Sequence, residues 1–336
     1  MPVVEIGDVE AQPGELRHGK LQLEPLPDWG ETFIPLTILN GTRDGPILWI
    51  GASIHGSEIP GIEVIRRLTR EILDPGEMKG AIIGAGPLNP YGMRLREHVV
   101  PQDGGNMNAK FPGDPEGTIS ERVAHVLATE ALPRCDLALD FHSSTMFGTE
   151  FMCVATCDDR DVMRRTLEMA EVFGFASAQV TRDMWGYDKA LISWAMDAGK
   201  PALLPEPLRQ GGWTKASLRA SVRGVLNVMR WAGMIEGKTE PQSDIKLRGG
   251  YFAFRDVRTR KSGILDILVD AGDWVEEGQV LGVVRDPWGN DLDRVVSPVR
   301  SAVRSMSTHQ VVYAGQIVGT LLVPGEKEAI WGPWLS

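Results

Sequence analysis

The sequence predicts an α/β protein with a central sheet flanked by helices, followed by a small all-β domain. Short apolar runs at 47–50, at 81–85 and from Leu137 alternate with stretches whose apolar residues recur at helical spacing, 60–73, 118–131, 161–173 and 216–235. From about 245 the pattern changes to short alternating strands split by Gly-Asp and Glu-Gly turns. The 336 residues are enough for one large domain and a small one. The expected division is an arm or edge strands over 1–30, a main domain over 31–240 and a β domain over 245–336.

Residues 1–30 are polar and punctuated by Pro and Gly, with short alternating pieces such as 19–23. Residues 33–40 alternate as a strand, and Asn40-Gly41 is a turn leading into the strand at 47–50. After Pro60 and Gly61, the residues Ile62, Ile65, Leu68 and Ile72 share one helical face until Asp74-Pro75-Gly76 stops it. The strand at 81–85 leads into a long loop, 86–113, nearly free of period. It carries Asn89, Arg94, Arg96, His98, Asp103, Asn106, Asn108 and Lys110. Such a loop is usually functional or disordered, and its Pro, Gly, Met and Phe111 positions favour order.

Thr118 opens the next helix, with Glu121 at capping-box spacing. His125 inside it reads as an ordinary helix-face residue. Strands follow from Leu137 and at 151–156, helices at 161–173 and 191–198, and a strand at 202–206. The helix at 216–235 closes the main domain, and Gly237 and Pro241 mark 236–244 as the linker. The β region beyond resembles biotinyl/lipoyl-like barrel-sandwich domains, which modify a lysine at a hairpin tip. Here the tip would be 286–290, and no lysine occurs from 264 to 323. Packing or self-association is therefore expected of it, not a carrier role.

The chemistry concentrates where strands run into turns. The stretch 47–65 reads I-L-W-I-G-A-S-I-H-G-S-E-I-P-G-I-E-V-I, placing His55 and Glu58 between a buried strand and a helix. Either imidazole nitrogen of His55 and one Glu58 oxygen can reach one cation across such a turn. That is two of the three protein ligands of a catalytic zinc site, with a position open for water. A lone H-x-x-E is more often a solvated pair, but this one sits between Gly56 and Gly61 at the end of an apolar strand. The run L-A-L-D-F-H-S-S at 137–144 ends in Asp140, His142 and two serines. Taken alone, His142 reads as a satisfied core histidine. Delivered beside His55 and Glu58 by a neighbouring parallel strand, it completes a His2Glu set. Glu206 is held between Pro205 and Pro207, which fixes the backbone around one carboxylate; a solvated loop glutamate is the competing reading.

Composition narrows the partners. Thirty-five basic and 45 acidic residues leave a net charge of −10, which argues against nucleic acid and anionic membrane as partners. Cys135, Cys153 and Cys157 form no C-x-x-C pair and read as buried thiols. No basic, apolar leader opens the sequence and no window approaches a membrane span, so a cytoplasmic protein is expected.

With H-G-S-E at 55–58, N-P leading into D-G-G-N-M-N-A-K-F-P-G at 103–113, D-F-H-S at 140–143 and P-E-P at 205–207, the chain resembles the succinylglutamate desuccinylase/aspartoacylase family. The similarity covers about 30–240 in order and spacing, and the β region fits the family's appended C-terminal domain. The resemblance implies a carboxypeptidase-like mixed central sheet and one Zn2+ per chain, held by His55, Glu58 and His142. It implies Glu206 as general base and proton shuttle. It also implies an arginine that polarises the scissile carbonyl, Arg96 first and Arg94 second, and Asn108 as part of an Asn-Arg pair gripping a substrate carboxylate. The arginine of that pair is absent. Ala109 stands there, followed by Lys110, and a lysine one residue along does not reproduce a bidentate guanidinium. The substrate then lacks that carboxylate, or Lys110 or Arg209 reaches it differently.

The expected activity is zinc-dependent hydrolysis of the amide of a small N-acyl amino acid or related N-acyl amine, with Asp140 orienting a zinc-bound imidazole. The alternatives are a carboxypeptidase-like peptide hydrolase and a metal-binding or regulatory homologue without turnover. Ten tryptophans and the β region leave room for a homo-oligomer.

Overall fold

The computed structural model describes residues 2–143, 147–207 and 212–335. Its frame is a mixed sheet of thirteen strands among the described residues. At the centre, Arg43–Ala52, Leu137–Phe141 and Ala202–Glu206 lie side by side and parallel, with Ala52 opposite Phe141 and Leu203 opposite Leu139. Lys79–Ala85 runs parallel on the outer side of Arg43–Ala52, and Phe33–Asn40 and Leu16–Gln22 add antiparallel strands beyond it. On the other side, Phe151–Ala155 pairs antiparallel with Ala202–Glu206.

Leu137–Phe141 and Ala202–Glu206 are buried at every residue. Strands covered on both faces by helices need no polar alternation, which is why both read as continuous apolar runs. Phe33–Asn40, nearer the edge, alternates: Ile34, Leu36 and Ile38 turn inwards. Of residues 1–30, Leu16–Gln22 forms the edge strand, and Val4–Ile6 pairs with Val9–Ala11 in a separate hairpin.

The helices Pro60–Arg67, Ile119–Val126, Arg160–Phe173, Leu191–Asp197 and Lys215–Trp231 flank the sheet. The helical pattern after Pro60 widens at Leu68 into a π-type turn before it stops. Thr118 and Glu121 close a capping box, the Thr118 N–H donating to the Glu121 carboxylate at 3.0 Å. Asp159 caps Arg160–Phe173 by accepting from the N–H groups of Asp161 and Val162, and Gly174 ends it at φ +85°.

The C-terminal region is antiparallel and β-rich, with its own apolar cluster around Leu265, Leu281, Val303, Val318 and Leu321. A four-stranded sheet forms one side of it. Its other strands extend the central sheet. Tyr251–Arg258 pairs in parallel with Ala176–Val180, then with Ile317–Gly325, which pairs with Ser301–Met306. The segment 236–244 carries no helix or strand, yet Gln242 is buried and donates to the carbonyls of Phe173 and Ala220. The chain then ends in a helix, Lys327–Leu335, which the β pattern does not foreshadow. Long-range contacts hold it: Trp331 is fully buried, Lys327 pairs with Glu171 at 2.6 Å, and the Ile330 carbonyl accepts from Gln179.

Candidate active site

Three parallel strands deliver their C-terminal ends to one edge of the sheet, where ligands of open α/β sheets bind. His55 and Glu58 follow Arg43–Ala52, His142 follows Leu137–Phe141, and Glu206 ends Ala202–Glu206. The His142 N–H donates to the Pro205 carbonyl at 3.0 Å, locking the last two together.

The His55–Glu58 turn is shaped by its neighbours. Ser53 adopts φ +62°, unusual for a residue with a side chain, and its buried hydroxyl donates towards the carbonyls of His55 and Gly56 at 3.3 and 3.2 Å. A Cβ on Gly56 would stand 2.2 Å from the Gly92 carbonyl carbon and the Met93 nitrogen, so only glycine lets the Pro90–Leu95 helix approach. A Cβ on Gly61 would stand 2.4 Å from the Phe141 Cβ, so this glycine seats Pro60–Arg67 on the sheet.

His55, Glu58 and His142 are buried, with one ligand atom of each lying within 4.8 Å of the others. Their hydrogen bonds fix which atoms face inwards. The Asn106 Oδ1 accepts from the Asn108 backbone N–H at 3.0 Å, which settles the orientation of that amide. The same oxygen stands 3.0 Å from His55 Nε2, so Nε2 carries the proton and Nδ1 the lone pair. His142 Nε2 stands 3.0 Å from Asp140 Oδ2, which likewise leaves Nδ1 facing Glu58. The two Nδ1 atoms lie 3.2 and 3.1 Å from the two oxygens of Glu58. His55 Nδ1 is buried and makes no aligned hydrogen bond there. Lone pairs from two imidazoles and a carboxylate converging in a buried space repel one another unless a cation sits among them. The donor set therefore fits a divalent metal, with two nitrogens and a carboxylate in the pattern zinc accepts.

The cavity around these groups has a volume of about 300 Å³, the size of a small metabolite, and Asn108, Tyr187, Glu206 and Arg304 also line it. Burial pushes the Glu206 carboxyl above its usual range, and the Arg304 charge beside it partly opposes that. The Glu206 Oε2 lies 3.3 Å from Arg304 Nη2, and its Oε1 4.0 Å from the buried Cys153 thiol, itself pushed up by burial.

Asn108 is buried in the cavity wall, and its Oδ1 accepts from the Leu191 N–H at 3.0 Å. Lys110 pairs with Glu121 at 3.1 Å and does not line the cavity. Arg94 lies in the last turn of Pro90–Leu95 and Arg96 just past it at φ +59°; both are exposed and outside the cavity lining. Arg209 lies outside the described residues. Ala109 borders the loop at Trp185–Tyr187: a Cβ on Gly186 would stand 3.1 Å from the Ala109 Cβ.

Several lining residues had no assigned role in the sequence. His98 stacks on His55 with ring centroids 3.5 Å apart, and its Nδ1 stands 3.6 Å from Glu58 Oε1. Asn106 and His98 were visible only as polar members of the long loop. Arg304 sits in Ser301–Met306, a strand that looks like any other in the β region, and no local signal marks it.

Comparison with known proteins identifies the family and the fold. A family model described as the succinylglutamate desuccinylase/aspartoacylase catalytic domain matches residues 44–232. An N-alpha-acetyl-L-2,4-diaminobutyric acid deacetylase of Halomonas elongata is 30% identical over 295 residues, covering 85% of this chain and 84% of the relative. A crystal structure of a succinylglutamate desuccinylase/aspartoacylase from Rhodobacter sphaeroides superposes with a TM-score of 0.83 at 24% identity, over 95% of this chain and 98% of the other. The product-bound ectoine utilization protein of Ruegeria pomeroyi gives 0.82 at 23% identity, over 96% and 98%. At these identities the two structures speak for the fold. Among the described residues, no helix is long and apolar enough to cross a membrane.

Proposed function

Because the chain belongs to the succinylglutamate desuccinylase/aspartoacylase family, we propose that it is a zinc-dependent deacylase that hydrolyses the amide of a small N-acyl amino acid. The observation that carries this reading is the convergence of the His55, Glu58 and His142 lone pairs in the same cavity as the buried Glu206 carboxylate. The relative in Halomonas elongata makes an N-acetylated diamino acid the first substrate to try.

His55, Glu58 and His142 would hold the ion, with Asn106 and Asp140 keeping both imidazoles in the ligating tautomer. Zinc, when bound, would lower the pKa of a water towards about 7 and polarise the scissile carbonyl. Glu206 accepts a proton from the attacking water and passes it to the leaving nitrogen, so that amide and water become carboxylic acid and amine. Its raised pKa suits both halves of that transfer, because a carboxylate that binds a proton more readily is a better base and still releases it. Asn108 offers its amide to the substrate from the cavity wall. The part expected of Arg96 would require its exposed side chain to turn inwards from the end of Pro90–Leu95.

The test is a panel of N-acyl amino acids, N-alpha-acetyl-L-2,4-diaminobutyrate first, offered to the zinc-loaded protein while free amine is measured. Release of stoichiometric amine and acyl acid supports the reading. A zinc-loaded, folded protein that cleaves no member of the panel contradicts it.

A further inference from the structure

We propose that Arg304, supplied by the β-rich C-terminal region, receives the carboxylate of the substrate and so sets a preference for anionic N-acyl amino acids. The proposal rests on the deacylase reading and adds to it a binding group from outside the segment that carries the family motifs.

Among the described residues, Arg304 is the one arginine or lysine that lines the cavity. The cationic groups of the long loop are elsewhere: Arg94 and Arg96 are exposed and Lys110 is held by Glu121. Position 109, where the family pattern has an arginine, carries no charge. The guanidinium available to a substrate carboxylate in this cavity therefore comes from the C-terminal region, off the strand Ser301–Met306.

The guanidinium is held for this purpose and is short of partners. It lies over the Phe151 ring at 4.5 Å and 5.8 Å from the Phe254 ring, which fixes its plane and excludes water from one face. Its side chain is only 14% exposed. Nη1 donates to Ser305 Oγ and Nη2 to Glu206 Oε2, both at a long 3.3 Å. Nε is buried with no partner among the described residues. A guanidinium carries five N–H donors in a planar fork, and an optimal pairing with a carboxylate runs at about 2.7–2.9 Å. A partly desolvated guanidinium with two long bonds has unspent capacity for an anion. A bound carboxylate would supply the missing acceptors, and the fork geometry favours it over a neutral carboxamide.

The test uses the full chain, loaded with zinc, as parent, Arg304→Gln and Arg304→Lys. Each is offered N-acetyl amino acids and their carboxamides as matched pairs, N-acetyl-L-alanine with N-acetyl-L-alaninamide among them, and both binding and turnover are measured. The expected result is a parent that favours the carboxylate member. Measured at a pH on the plateau of each protein's profile, Arg304→Gln should lose roughly ten- to a hundredfold more on that member than on the carboxamide, the worth of a charge-assisted hydrogen bond. Arg304→Lys should recover part of the loss, because it keeps the charge without the fork. Equal losses on both members would make Arg304 a support for Glu206 alone and overturn the proposal, as would a parent that binds neither member of any pair. Carboxylate-selective binding that disappears in Arg304→Gln, without turnover in the parent, would uphold this assignment and refute the hydrolase reading instead. Zinc content and an unfolding curve accompany each variant, and if Arg304→Gln does not fold, Arg304→Lys carries the comparison.

Discussion

The guanidinium of Arg304 lies 3.3 Å from the carboxylate of Glu206, joining a strand of the C-terminal region to the group proposed as general base. The contact spans 98 positions of sequence, and it makes the C-terminal region part of the cavity wall. It also couples the charge of the base to a residue that can be changed without touching the metal ligands.

The pH dependence follows from that coupling. As the proposed base, Glu206 would act only when deprotonated, so activity should rise with pH through its pKa, which burial raises and Arg304 lowers. Removing the Arg304 charge leaves burial less opposed, so the carboxyl binds its proton to higher pH. In Arg304→Gln the acidic limb of the kcat/KM profile should therefore move to higher pH than in the parent. A limb that stays in place or moves to lower pH would mean that Glu206 is not the titrating base.

Replacing Glu206 by Gln should leave zinc binding intact while kcat falls by about 100- to 10,000-fold, the usual contribution of a positioned base. Metal analysis and steady-state kinetics on one preparation check it. Near-parental turnover in Glu206→Gln would remove the carboxylate from the mechanism.

Among the proposed ligands, Asn106 hydrogen-bonds His55. In Asn106→Ala the His55 ring loses the acceptor that fixes its tautomer, and zinc affinity should fall by roughly 10- to 100-fold. Competition against a chelator of known affinity measures this. Unchanged affinity would show that His55 is oriented by packing alone.

Gly56→Ala should destabilise the protein by about 1–3 kcal/mol, because the added methyl meets the backbone of Gly92 and Met93 and not a flexible side chain. Urea unfolding of parent and variant reports the difference. A neutral substitution would mean that the Pro90–Leu95 helix can retreat from the His55 turn at no cost.

Most strands and helices were legible in the sequence because their burial is regular, whereas the strand Ala176–Val180 and the short helix Pro90–Leu95, inside the stretch read as a loop, were not. Leu137–Phe141 and Ala202–Glu206 read as unbroken apolar runs because both faces are covered, and the Thr118–Glu121 capping box is a purely local signal. His55, Glu58, His142 and Glu206 stood out because each follows or ends a buried strand, where a polar residue is conspicuous. The roles of Asn106 and His98 were not legible, because one acts through an orientation and the other through a ring stacked across a folded loop. Arg94, Arg96 and Lys110 carry the right charge in the right loop, yet which way a loop side chain turns depends on neighbours such as Glu121. Arg304 and the final helix depend on contacts between distant segments, which no window of sequence contains.

His55, Glu58 and His142 are proposed to form a metal centre. It is tested most directly by metal analysis of the purified chain and of His142→Ala after dialysis against a weak chelator. About one zinc per chain is expected in the parent and almost none in the variant. A folded parent that takes up no zinc when it is offered, or a His142→Ala protein that holds as much as the parent, would contradict it.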